Sequence, residues 1–224
     1  IDVVDRRNPR VLTGLPRDRT VRRVLAEAEL ATLATAPDPA LRFWTYWAAK
    51  EAAFKAVTLR RGAPPIFAHA AFAVDLEAGV VRYGEHTLRL GVHRTDERLI
   101  AVAETGIDPT PNPSATWATA RLDVVHDGLG GGPLDVLRRR FTDAERDAVR
   151  GLSSAIARLA LRREAALHLA TDEQRLEVIC PPGPAGRRPL YLYADGRLVT
   201  DVGLSISHDG AWVAWAVAGA ESTV

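Results

Sequence analysis

The densest chemistry in this 224-residue chain lies in Trp47-Ala48-Ala49-Lys50-Glu51-Ala52-Ala53-Phe54-Lys55. At the helical period Trp47, Glu51 and Lys55 follow one another at i, i+4 and i+8, which puts a carboxylate and an ammonium on one stripe. The same spacing also describes an ordinary surface Glu–Lys pair, worth about 0.2–0.5 kcal/mol. Two observations favour a site. Lys50 and Lys55 are the only lysines among 29 Lys and Arg residues, and Trp47 and Phe54 mark the helix as partly buried. Where arginine is the default base, a lysine supplies a compact, mobile ammonium instead of a planar fork.

Three other segments carry polar groups in suggestive order. Ile1-Asp2-Val3-Val4-Asp5 reads as an apolar strand with two acids, hard oxygen ligands of the kind Mg²⁺ takes beside water and substrate phosphates. Leu204-Ser205-Ile206-Ser207-His208-Asp209-Gly210 alternates as a strand and leaves two hydroxyls and an imidazole at its exit. Those groups read either as turn chemistry or as a phosphate contact. Gly186-Arg187-Arg188-Pro189 places two guanidiniums before a strand, suited to bidentate phosphate contacts or to a solvated basic turn. The chain has no Walker-type loop, no His-Glu-x-x-His and no Gly-x-Ser-x-Gly.

The elements that must position these residues repeat along the chain. Ile1–Asp5 resembles Leu122-Asp123-Val124-Val125-His126-Asp127, and Leu25-Ala26-Glu27-Ala28-Glu29 resembles Phe141-Thr142-Asp143-Ala144-Glu145. Lys50-Glu51-Ala52-Ala53 resembles Arg163-Glu164-Ala165-Ala166, and His93 through Ala103 lines up with His208 through Ala218. Four matches in one order predict a tandem duplication. Each half reads as a short strand, then helices over 18–34 and 42–58, or 135–150 and 152–171, and then strands broken by Gly turns. The predicted fold class is α+β, two tandem pseudo-repeats with a small antiparallel sheet packed against helices in each. The prolines at 109, 111 and 113 predict a linker over 107–117, between repeats spanning 1–106 and 118–224.

Composition narrows the function classes. A formal net charge of +1 does not fit a general nucleic-acid binder, so phosphate recognition falls to a local cluster. No apolar run reaches the roughly 20 residues of a membrane helix and no signal-peptide pattern opens the chain, which predicts a cytoplasmic protein with no membrane partner. Cys180 stands alone, so an internal disulfide is excluded. The chain contains no methionine, so residues upstream of Ile1 are expected.

Taken together, Trp47-Ala-Ala-Lys-Glu-Ala-Ala-Phe-Lys55 resembles the W-x-x-K-E-A-x-x-K signature of the 4′-phosphopantetheinyl transferase superfamily. Ile1–Asp5 is similar to that family's acidic strand, Ser205-Ile-Ser-His208 to its S-I-S-H strand, and Gly186–Pro189 to its basic-Pro segment, in the manner of the short holo-acyl-carrier-protein synthases. The resemblance implies transfer of 4′-phosphopantetheine from coenzyme A to a serine of an acyl or peptidyl carrier protein, as in fatty-acid and polyketide biosynthesis. It implies Mg²⁺ held by Asp2 and Glu51 with Asp5, and catalysis by Glu51, Lys55 and Asp2. It also implies nucleotide contacts from Arg187, Arg188, Pro189, Ser207, His208 and Lys50. Short synthases trimerise and surfactin-type enzymes are duplicated monomers with the opposite order of motifs. This chain's length implies a monomer with an internal pseudo-dimer and a site at the junction of the halves. The complementary set Asp123, Glu164 and His93, with His168 and Glu85 in place of Lys55 and Arg187, reads as a vestigial second site. The rival reading is a module that binds coenzyme A or carrier protein without transfer.

Overall fold

The computed structural model describes residues 1–65, 68–105, 115–181 and 189–219. The chain divides into two compact units, Ile1–Pro109 and Thr110–Val224. Most of the expected linker lies outside the described residues, and its last two positions, 116 and 117, already belong to a strand.

The first unit runs β1 (Asp2–Asp5), α1 (Pro9–Leu12), α2 (Asp18–Val24), α3 (Glu27–Ala34), α4 (Pro39–Arg61), a one-turn 3₁₀ helix (His69–Ala71), β2 (Ala73–Asp75), β3 (Val80–Tyr83), β4 (His86–Arg94) and β5 (Arg98–Thr105). The strands form one antiparallel sheet in the order β1-β5-β4-β3-β2. The helix expected over 42–58 is longer at both ends because its signals are strong. Asp38 caps the N-terminus by accepting from Leu41 N at 2.9 Å, Pro39 fills the first turn, and Gly62 ends the helix at φ +67°. Its buried face, with Phe43, Ala49, Ala52, Ala53 and Val57, packs with Leu99, Ala101 and Ala103 of β5 and Leu88 of β4 in one core.

The helix expected over 18–34 is two helices. The break at Leu25-Ala26 lets α3 start afresh, and Glu29 then reaches back to accept the Ala26 N–H at 2.8 Å.

The second unit runs β6 (Thr116–Arg121), α5 (Leu122–Gly128), α6 (Leu134–Arg138), α7 (Asp143–Arg146), α8 (Leu152–His168), a second 3₁₀ turn (Glu173–Arg175), β7 (Leu176–Ile179), β8 (Leu190–Ala194), β9 (Arg197–Asp209) and β10 (Trp212–Gly219). Its sheet has the order β6-β10-β9-β8-β7, the first unit's order strand for strand. Helix α8 packs on β10 and β9, with Ile156, Leu159 and Ala165 in the same core as Val213, Trp215 and Val217.

The duplication is present, but two of its sequence matches are displaced. Leu122–Asp127, expected as the strand equivalent to β1, is helix α5, with Asp123 in its first turn where the helix N-terminus favours an acid. The strand that corresponds to β1 is β6, just upstream.

The hairpins give the true register. In β4–β5 Arg94 faces Leu99, and in β9–β10 His208 faces Val213, with Leu99 and Val213 both on the core side. His208 therefore corresponds to Arg94, and His93 corresponds to Ser207. A shift of one residue reverses every side chain on a strand. By the same register Asp2, which faces Ala101, corresponds to Ala118, which faces Trp215.

Candidate active site of the first unit

Helix α4 lies over β1 and β5, and this packing brings the strand acid to the helix motif. Strand alternation turns Asp2 to the same side as Val4, a residue of the helix-side core. There Lys55 Nζ meets Asp2 Oδ1 at 2.8 Å and also donates to the Ile1 carbonyl at 3.0 Å. The Asp2 side chain is about 10% exposed and Lys55 about 28%, so the pair sits at the rim of the core. Glu51, one turn before Lys55, is a neighbour on that stripe, and its carboxylate is only 12% exposed. Asp2, Glu51 and Lys55 are thus collected on one patch by one strand and one helix.

Two further expectations are corrected here. Lys50 is fully buried and its ammonium is used inside the fold. It pairs with Glu29 Oε2 at 2.7 Å and donates to the carbonyls of His69 at 3.1 Å and Phe72 at 2.7 Å. An ammonium has three N–H donors, and these three partners account for them, so Lys50 has none for a nucleotide phosphate. Burial pulls its pKa below the ordinary lysine value, and Glu29 opposes that pull.

Asp5 stands three residues from Asp2, hence on the opposite side of the strand, and its Oδ1 accepts from Arg7 N at 2.9 Å in the turn after β1. Among the described residues no three His, Cys, Asp or Glu side chains gather as a metal set.

One member of the patch escaped sequence reading. His69 is 9% exposed, its Nε2 lies 3.3 Å from Glu51 Oε1, and its ring centroid is 4.7 Å from that of Trp47. Nothing in Ala68-His69-Ala70 marks it, because its position depends on the turn after α4 folding back across the helix.

The second-unit residues are placed individually. Ser207 is buried opposite Ala214 in β10, and His208 is exposed opposite Val213 near the end of β9. Pro189 is buried before β8, and Arg187 and Arg188 lie outside the described residues. Two members of the proposed vestigial set, Asp123 and Glu164, make contacts within the second unit. Asp123 is exposed and pairs with Arg121, whose hydrogen bonds hold its carboxyl below the usual range. Glu164 accepts from Trp215 Nε1 at 3.3 Å.

Two hard carboxylates beside one ammonium suit Mg²⁺ better than Zn²⁺ or Ca²⁺, since Mg²⁺ keeps several waters and completes its shell from substrate phosphates. Such a set of side chains suits phosphoryl transfer, in which positioning and charge carry the chemistry.

Residues 1–102 match the model of the 4′-phosphopantetheinyl transferase superfamily. The match covers nearly all of the first unit and supports the superfamily that its motifs resemble, with phosphopantetheinyl transfer as the general activity. Two five-stranded antiparallel sheets with helices in one chain agree with a two-repeat form of that fold. No curated protein matches the chain. Among the described residues no helix is long and apolar enough to cross a membrane.

Proposed function

We propose that this chain transfers the 4′-phosphopantetheine group of coenzyme A to a serine hydroxyl of an acyl or peptidyl carrier protein, releasing adenosine 3′,5′-bisphosphate. The observation that carries the reading is the Asp2–Lys55 contact at 2.8 Å with Glu51 one helical turn away, within the unit that matches the superfamily. Asp2 and Glu51 would hold Mg²⁺. Bound there, the ion would offset negative charge on the diphosphate as it develops.

The rest of the chemistry falls to side chains. Glu51 accepts the proton of the carrier serine as its oxygen bonds to the β-phosphorus. The bond from that phosphorus to the bridging oxygen breaks, and the oxygen leaves on the nucleotide. Lys55 places a positive charge beside the leaving phosphate, and Asp2 fixes where that charge sits. Arg187, Arg188, Pro189, Ser207 and His208 would contact the nucleotide phosphates, as the family resemblance implies; Lys50 is not among them. Two units of like topology in one chain favour a monomeric enzyme, and its substrates suit a cytoplasmic setting.

The test is intact-mass analysis of apo carrier proteins incubated with the chain, coenzyme A and Mg²⁺, with a chelator control. A gain of one phosphopantetheine that needs metal, and that Glu51→Gln lowers by about 100-fold or more, is expected. If several apo carriers gain no mass although the chain binds coenzyme A, the chain is a binding module and the transfer reading fails.

A further inference from the structure

We propose that His69 is a positioning residue that fixes the carboxylate of Glu51, and that the buried Glu29–Lys50 pair fixes His69 in turn; the inference rests on the transfer reading above. The argument begins with Lys50. Its ammonium holds the backbone of the short turn after α4 through the carbonyls of His69 and Phe72. Glu29 anchors that ammonium and is itself anchored, since its two oxygens accept the Ala26 and Val74 N–H groups at 2.8 Å each. The turn is therefore tied to α3, α4 and β2 by polar contacts in the interior, where an ion pair with few competing partners holds one geometry.

The ring of His69 inherits that fixed position. Trp47 covers it at a centroid separation of 4.7 Å and a tilt of 32°, which limits its rotation. Its Nε2 faces Glu51 Oε1 at 3.3 Å. In the neutral Nε2–H tautomer the ring donates to the carboxylate without adding a net charge beside it, and so sets the direction of the remaining oxygen.

The nine-residue motif thus contains three parts of one device. Lys50 clamps the turn, Trp47 walls the imidazole, and Glu51 receives its hydrogen bond. Carboxylates that act on a substrate must be held within about 0.5 Å, and a flexible glutamate at a rim needs such a partner.

Transfer rates per folded molecule, with coenzyme A and an apo carrier protein varied in turn, test this. His69→Phe keeps a ring against Trp47 and removes the donor. It should lower kcat by about 10–100-fold and leave the KM for coenzyme A within about threefold. His69→Gln, whose amide can donate, should recover at least about a third of the lost rate on a logarithmic scale. The decisive readout is the same change made in Glu51→Gln, where His69→Phe should cost less than about twofold because the group it orients is gone. Equal fold-losses in both backgrounds, or a His69→Phe rate within about twofold of wild type, overturn the proposal. If His69→Phe does not fold, His69→Gln and His69→Asn carry the same comparison. A wild-type chain that transfers to no carrier removes the transfer reading and this inference together. A wild type that transfers while the His69 variants match it removes the inference alone.

Discussion

Replacing Lys50 by methionine separates the two roles that the signature lysine can have. The substitution keeps the length and apolar stem of the side chain and removes its charge, so packing around α4 changes little. What remains is a carboxylate, Glu29, that is 3% exposed and has lost the ammonium paired with it, together with two interior carbonyls, of His69 and Phe72, without the donor they had. Removing one partner of a buried pair costs about 3–5 kcal/mol, because the other charge stays desolvated. Two backbone N–H groups still reach Glu29, which places the cost toward the lower end.

For a unit of this size each kcal/mol lowers the melting temperature by about 4–8 °C, so Lys50→Met should melt on the order of 15–25 °C below wild type. Scanning calorimetry reads the shift directly. The Glu29→Gln/Lys50→Met double variant should recover part of the loss, with a coupling of about 2 kcal/mol, because neither charge is then left alone. A Lys50→Met protein that melts within about 2 °C of wild type while its KM for coenzyme A rises tenfold would refute the reasoning. Lys50 would then be a nucleotide contact, as its place in the motif first suggests.

In the second unit Glu145 performs the same service as Glu29. Its oxygens accept from Thr142 N at 3.0 Å and Val178 N at 2.8 Å, and Arg162 approaches at 3.5 Å. Glu145→Ala should therefore cost about 3 kcal/mol, read by urea denaturation, since two interior donors and a buried guanidinium lose their acceptor. Asp123→Ala removes an exposed ion pair at a helix start and should change neither the transfer rate nor the melting temperature measurably. A loss of transfer in that variant would restore Asp123 to a second site.

How much of this was legible in the sequence depends on whether the information is local. The α4 helix was, because Asp38, Pro39 and Gly62 punctuate a clear period. The stripe of Glu51 and Lys55 followed from that period, and Asp2 from the alternation of β1. The likeness of Leu25–Glu29 to Phe141–Glu145 held position for position, since Glu29 and Glu145 both stand third in a helix and cap its start.

The failures are non-local. Val124-Val125 look like strand residues, yet the preceding Thr116–Arg121 took the strand position beside β10 and left 122–128 to coil into a helix. Letter similarity aligned His93 with His208, whereas hydrogen-bond register decides which face a residue occupies. Lys50 differed from Lys55 only in which side of α4 faces the turn at 69–72, and that turn's path is set by Glu29, twenty-one residues upstream of Lys50.

The two units also separate the charges that build this fold from those that act in it. Both keep a glutamate at the third position of a helix whose second oxygen caps the N–H of the last strand in the sheet, Val74 in one and Val178 in the other. Both neutralise that glutamate with a cation from the long helix, Lys50 in one and Arg162 in the other. These charges recur because the same topology leaves the same donors to satisfy. The acid on the first strand does not recur. At the position of Asp2 the second unit has Ala118, and a methyl group cannot hold a cation or steer an ammonium. Glu164 without an acidic strand partner is half of a two-carboxylate site, and it is spent on the Trp215 indole. Asp2 is thus the strand acid that distinguishes the first copy of the fold from the second, and on the proposed function it is what equips that copy for phosphoryl transfer. Restoring an acid through Ala118→Asp alone would add a partly buried charge with no lysine to meet it, since His168 stands where sequence similarity places the counterpart of Lys55.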